Sequence, residues 1–182
     1  MTHRERSRRA LRWWLALGVV GLLWSPWSCA AIASDTDTCA GRHTSVLIDL
    51  HQSRLYLCKG DQVVGRYAVA YGWGGMDKRE QGDKKTPLGT YRLGNPRASK
   101  AFGTFIHVGY PTRAQRAKGM TGSAIGIHGP HRNLVWAGRL NTLLNATDGC
   151  VMVTEEDIQA IAAWVRLKRV RKVHIEPRLA GS

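Results

Sequence analysis

The chain has 182 residues, 43% of them hydrophobic and 22% charged, with a formal net charge of +14. This is globular composition, long enough for one domain with a real core and short for two, and it excludes a disordered chain. The basic balance calls for an anionic partner. With no zinc-finger spacing, helix-turn-helix pattern or aromatic-basic RNA signature beside it, nucleic acid is disfavoured against an acidic wall polymer or anionic lipid.

Residues 1–33 read as a signal peptide. Arg4, Arg6, Arg8, Arg9 and Arg12 precede the apolar run from Trp13 to Trp24, and Ala31-Ile32-Ala33 has the small-x-small form of a cleavage site, making Ser34 the first mature residue. The run is short for a membrane span, and an uncleaved anchor is the alternative. Ser7-Arg8-Arg9 matches a twin-arginine signal only weakly, because Arg12 stands where an apolar residue is preferred. Pro26-Trp27-Ser28 before Cys29 fits a lipobox poorly. Export places the mature protein in the periplasm or cell envelope, with membrane contact only through the leader. Of the four cysteines, Cys39, Cys58 and Cys150 then remain. The simplest assignment pairs Cys39 with Cys58 and leaves Cys150 as a free thiol; the alternative keeps all three reduced.

Residues 34–43 form a polar lead-in. Strands are expected at 45–50, 54–58 and 62–71, joined by tight turns at His51-Gln52-Ser53 and Lys59-Gly60-Asp61 as a meander. Residues 76–85 are charged, lack an apolar period and read as a functional or disordered loop. A strand at 90–93 follows, Asn95-Pro96 opens another loop, and a strand is expected at 105–110. Pro111 to Lys118 reads as a short helix with Gly119 past its end. A strand at 123–128 delivers His128, a long connection covers 129–146, and Val151 to Val153 is a strand. Thr154 N-caps a helix whose acidic start (Glu155, Glu156, Asp157) suits its positive end and whose Ile158, Ile161, Ala162 and Val165 share one face. The last strand, 170–175, stops before Pro177. The class is mainly β, a sandwich or half-open barrel with one or two short helices.

The chemistry concentrates at Ile127-His128-Gly129 and Thr147-Asp148-Gly149-Cys150. A thiol becomes a strong nucleophile on ionisation, and an imidazole can take its proton and hold the thiolate as an ion pair. Cys150 is therefore the candidate nucleophile and His128 its proton donor and acceptor. Gly149 lets backbone N–H groups point at a developing oxyanion. Gly129 allows a backbone group to orient the imidazole. Trp73 and Tyr110 are candidates for lining a groove. The bland alternatives are a buried structural cysteine and a satisfied core histidine. His128, His131 and Cys150 with His107 or Asp148 could instead bind zinc.

Several motifs in order carry a family resemblance: Leu47 to Leu57, Lys85-Thr86-Pro87-Leu88-Gly89, Ile127-His128-Gly129 and Thr147-x-Gly149-Cys150. The chain from about Thr44 to about Glu176 resembles the L,D-transpeptidase catalytic domain of the YkuD type. Gln81 to Pro87, His107 to Pro111 and Thr147 to Val151 are most similar to its YafK-like branch. The resemblance implies a catalytic domain at 44–177 with a tail at 178–182, a mainly β fold, no metal and no cofactor. It also implies peptidoglycan stem peptides as substrate. Cys150 would attack a diaminopimelate carbonyl, and the thioester would pass to an amine of a second stem, a wall-attached protein or a D-amino acid, or to water. Two departures follow. Asp148 replaces the histidine common before the glycine, and its side chain is expected to point away or to pair with Arg132 or Arg139, since an inward acid would raise the thiol pKa. Met152 replaces a polar or basic residue, so recognition of the donor carboxylate falls to Arg132, Arg139 or Lys84. A non-catalytic wall- or zinc-binding module on the same fold is the alternative.

Overall fold

In the computed structural model, residues 38–178 are described. The leader, its cleavage site, residues 34–37 of the lead-in and residues 179–182 of the tail lie outside them. Eight strands form one sheet: β1 (Ser45–Asp49), β2 (Arg54–Lys59), β3 (Gln62–Ala68), β4 (Gly89–Ser99), β5 (Gly103–Val108), β6 (Gly126–His128), β7 (Val151–Met152) and β8 (Lys172–Glu176), in the order β3-β2-β1-β8-β4-β5-β6-β7. Two neighbours run parallel, β1 with β8 and β6 with β7; the rest are antiparallel. Ala70, just past β3 at one edge, exchanges hydrogen bonds of 2.9 and 2.8 Å with Met152 at the other. The sheet therefore curls until its edges meet, which is the half-open barrel expected from the sequence.

Helix α2 (Glu155–Leu167) lays Ile158, Ile161, Ala162 and Val165 on the sheet. These join Val46, Ile48, Leu55, Ile106, Ile127, Val151 and Val173 in the main core. Thr154 caps α2 by accepting from the Asp157 N–H at 3.1 Å. Strand β1 is buried at every position. Its other face, Leu47, packs with Tyr56, Cys39 and Cys58 in a second cluster. Cys39 and Cys58 are bonded to each other, so the disulfide covers that face.

Several elements differ from the expected bounds. Strand β4 continues through Asn95-Pro96 to Ser99, with a register shift between Leu93 and Pro96. Proline has no N–H, so the ladder slips there and resumes beyond it. Strand β6 holds only three residues, and residues 123–125 run up to it without a ladder. The helix after Pro111 is a single turn, α1 (Arg113–Ala117), closed at Thr112 by a capping box with Gln115. The long connection contains a 3-10 segment (Arg132–Thr142), broken at Gly138 by a φ of 51°. The 76–85 loop is ordered about Asp83, whose carboxylate accepts from the N–H groups of Arg79, Glu80 and Lys85 and from Lys78 Nζ at 2.6 Å. Burial opposes ionisation of Asp83, but these donors outweigh it and hold the carboxyl far below its usual range.

Candidate active site

Strands β6 and β7 place the two candidate side chains, His128 and Cys150. Ile127 pairs with Val151 and His128 with Met152, so Cys150, one residue before β7, sits beside Gly126. Alternation along the strand puts Cys150 and Met152 on the same face, the face of His128. His128 and Cys150 line one cleft of about 420 Å³. The strand next to β6 explains Gly126. Phe105 pairs with His128, and its ring fills the space where a Gly126 side chain would stand, 2.2 Å from a Cβ there. The Phe102 ring stacks on His128 at 4.0 Å and 25°. His128 is 3% exposed, and its Nδ1 donates to the Gly129 carbonyl at 2.6 Å. That bond fixes the proton on Nδ1 and leaves Nε2 as the basic nitrogen. Gly129 packs against α2, where a Cβ would stand 2.7 Å from Glu155 Oε2.

The turn that carries Cys150 is held by two threonines. Thr147 Oγ1 accepts from the Gly149 N–H at 3.2 Å and donates to the Cys150 carbonyl at 2.6 Å. Thr86 Oγ1, fully buried, accepts from the Gly72 N–H at 2.9 Å and donates to the Gly149 carbonyl at 3.0 Å. Gly149 has φ +118°, and a Cβ there would stand 2.5 Å from the Lys85 carbonyl oxygen. Glycine is therefore required by backbone conformation and by contact together. Its N–H is engaged by Thr147 rather than left free for the oxyanion contact expected of Gly149.

Electrostatics set the resting state. The Cys150 thiol is partly buried and donates to the Ala124 carbonyl at 3.4 Å. Burial pushes its pKa up, and the Asp148 charge adds to that. A backbone hydrogen bond from Gly126 and the Lys78 charge oppose it without reversing it. Burial likewise pushes His128 down, against the smaller effect of its bond to Gly129. Both shifts favour neutral forms. They weigh against the thiolate–imidazolium ion pair expected from the sequence.

The family model for the L,D-transpeptidase catalytic domain (YkuD) matches residues 43–175. The chain belongs to the YkuD family of L,D-transpeptidase catalytic domains. No curated protein matches it. Among solved structures it is similar to the helical cell shape determining protein Pgp2 from Campylobacter jejuni, at 24% identity and a TM-score of 0.61, covering 74% of this chain and 48% of that one. It is also similar to Bd1075 from Bdellovibrio bacteriovorus, at 23% identity and a TM-score of 0.54, covering 75% and 48%. At these identities the likeness is one of fold, and the chain spans about half the length of each.

Within this L,D-transpeptidase domain the remaining sequence candidates scatter. Asp148 points outward, 81% exposed, and pairs with Lys84 at 3.5 Å rather than with Arg132 or Arg139. Trp73, 60% exposed, lies under the Lys84 ammonium at 4.8 Å and its Nε1 donates to Asp148 at 3.4 Å, so it stands at the rim of the site. Tyr110 does not line a groove. It is 4% exposed, packs edge-on to Tyr91, and its hydroxyl reaches the Lys78 and Thr121 carbonyls, so it anchors the loops from within. Arg132 turns to the Ser99 carbonyl at 3.4 Å, and Arg139 lies in a separate depression with Glu155 and Glu156. Neither borders the thiol cleft. Among the described residues no group of three His, Cys, Asp or Glu side chains is placed to hold a metal ion. His131 Nδ1 instead accepts from the Asn133 N–H at 3.3 Å. Thr86, Phe102 and Phe105 went unassigned by sequence reasoning. The Thr86-Pro87 motif was the available signal for the first; the phenylalanines carried none.

Proposed function

We propose that this domain is an exported cysteine acyl-transfer enzyme acting on peptidoglycan stem peptides. The observation that carries the reading is the pairing of Cys150 and His128 in one cleft, with the imidazole proton fixed on Nδ1 and Nε2 left basic. His128 takes the thiol proton as sulfur attacks the diaminopimelate carbonyl. The C–S bond forms, the C–N bond to the terminal residue breaks, and the proton leaves on the departing amine. An incoming amine then attacks the thioester, gives its proton to His128, and an L,D-linkage forms as the thiol returns. The Cys150 N–H faces the oxyanion at each stage. Water in place of the amine makes the same site a hydrolase, and the partial exposure of Cys150 supports that second reading.

The test is incubation of the mature protein with tetrapeptide muropeptides and, separately, with crosslinked or protein-linked wall material. Dimers that disappear with Cys150→Ala support transfer. Loss of linked material without dimers supports hydrolysis. No Cys150-dependent change in either substrate overturns the assignment.

A further inference from the structure

Residues 100–102 turn the chain from β4 into β5 and carry one aromatic side chain, Phe102. The turn is held on both sides. The Phe102 N–H donates to Ser99 Oγ at 3.3 Å, and the Phe102 carbonyl accepts from the Thr104 N–H at 2.7 Å. The Arg132 N–H donates to the Ala101 carbonyl at 2.9 Å, which docks the turn on the segment that follows His128. The Phe102 and His128 rings lie 4.0 Å apart and 25° from parallel. Phe105, opposite His128 in the β5–β6 ladder, adds a second near-parallel ring at 6.0 Å and 10°. Phe102 also borders the thiol cleft. His128 is 3% exposed while the ring stacked on it is partly exposed, so Phe102 is a cover between the imidazole and water.

The torsion that spins an imidazole about its stem is broad and roughly two-fold. A flat neighbour at stacking distance narrows it to one plane. The bond from Nδ1 to the Gly129 carbonyl then chooses between the two ends of that plane and leaves Nε2 for the cleft. The same cover keeps water off the imidazole, which disfavours its charged form. A ring face attracts an imidazolium too, but water does so more strongly, so the net effect on the resting imidazole is toward the neutral base. We infer that Phe102 is a positioning residue for His128: its ring holds the imidazole plane with Nε2 toward the thiol cleft and shuts out water. The consequence for turnover rests on the acyl-transfer reading. The other titratable or charged groups about His128 are Cys150 and Asp148 on the same cleft, His131 edge-on to Phe102 at 6.3 Å, Glu155 of α2 against Gly129, and Arg97 over the Phe105 ring at 4.9 Å. A Phe102 substitution removes none of these, so a change at His128 reports the ring.

The test is nitrogen-15 NMR of the mature protein labelled at histidine, with His128 assigned by comparison with His128→Gln. The wild type and Phe102→Tyr should show the Nδ1–H tautomer alone and a titration midpoint below the ordinary value of about 6.5. In Phe102→Ala the midpoint should rise by about one unit toward that value, and the Nε2–H tautomer should appear. With tetrapeptide muropeptides, Phe102→Ala should lose about 10-fold or more in kcat, and Phe102→Tyr should stay near wild type. Phe102 is partly exposed on a turn, so the alanine change leaves the core intact. A wild type that titrates at or above about 6.5, an alanine variant with the wild-type midpoint and tautomer, or a tyrosine variant that matches the alanine one overturns the inference. So does full turnover by the alanine variant. Muropeptides left untouched by the wild type, beside an imidazole that answers to Phe102 as expected, would remove the wall substrate and keep the positioning role.

Discussion

The Thr86 hydroxyl, buried and 63 positions away in sequence, donates to the carbonyl of Gly149 at 3.0 Å while accepting from the N–H of Gly72. One side chain thus ties the end of the charged loop and the segment after β3 to the residue before Cys150. Thr86→Val leaves both backbone groups buried without a partner. Each orphan costs about 1–3 kcal/mol, so unfolding should show a loss of about 2–4 kcal/mol together with slower alkylation of Cys150. Thr86→Ser keeps the hydroxyl and loses a methyl, for about 1 kcal/mol, and should recover the alkylation rate. A valine variant with wild-type stability and thiol reactivity would contradict this role.

How much of this was readable in the sequence depends on the range of the interaction. The meander, the capped helix α2 and the β6 histidine follow from local alternation and capping, and each is present. The eight-stranded order is not local: β8 inserts between β1 and β4, a pairing across more than a hundred residues that no turn signals. That Cys150 and His128 are candidates for one site was legible because each is followed or preceded by glycine at a strand edge. Their supports were not. Phe105 faces His128 only through the β5–β6 register, and the Lys84 partner of Asp148 comes from a loop whose order depends on a buried Lys78–Asp83 pair. Tyr110 misled because an aromatic in a loop-flanking strand reads equally as a groove wall or as core.

The Cys39–Cys58 bond closes a loop with a sequence separation of 19. Such a loop contributes about 3 kcal/mol by restricting the unfolded chain. A Cys39→Ser, Cys58→Ser double variant should therefore melt on the order of 10 °C lower. Reductant should lower the wild-type midpoint similarly and leave the double variant unmoved. An unchanged midpoint in the variant would show that the second cluster on β1 is stable without its cross-link.

Asp148 acts on the thiol at a distance, its charge raising the Cys150 pKa although its side chain faces water and Lys84. Asp148→Asn removes that charge and frees the Lys84 ammonium. Both changes favour the thiolate, so the alkylation profile should move to lower pH and the rate near neutrality should rise. Solvent screening keeps the gain to about a few-fold. A profile shifted to higher pH would mean that the carboxylate serves the thiolate through some other contact.

The raised Cys150 and lowered His128 predict a neutral resting pair, and kinetics can separate this from a preformed ion pair. With a neutral pair, alkylation by a neutral reagent rises steadily with pH through the region between about pH 6 and pH 8, because the thiolate fraction is still climbing toward a value above the ordinary thiol range of about 8.5. An ion pair would instead give a reactive plateau there. The same logic governs His128→Gln. If His128 acts only as a base during attack, the variant alkylates at neutral pH at a rate near wild type, yet loses about 10²–10⁴-fold in acyl transfer. If the imidazolium holds a standing thiolate, both rates collapse together. The buried His128 ring, stacked on Phe102 and donating from Nδ1 to Gly129, has too little contact with water to remain charged, and this favours the first outcome.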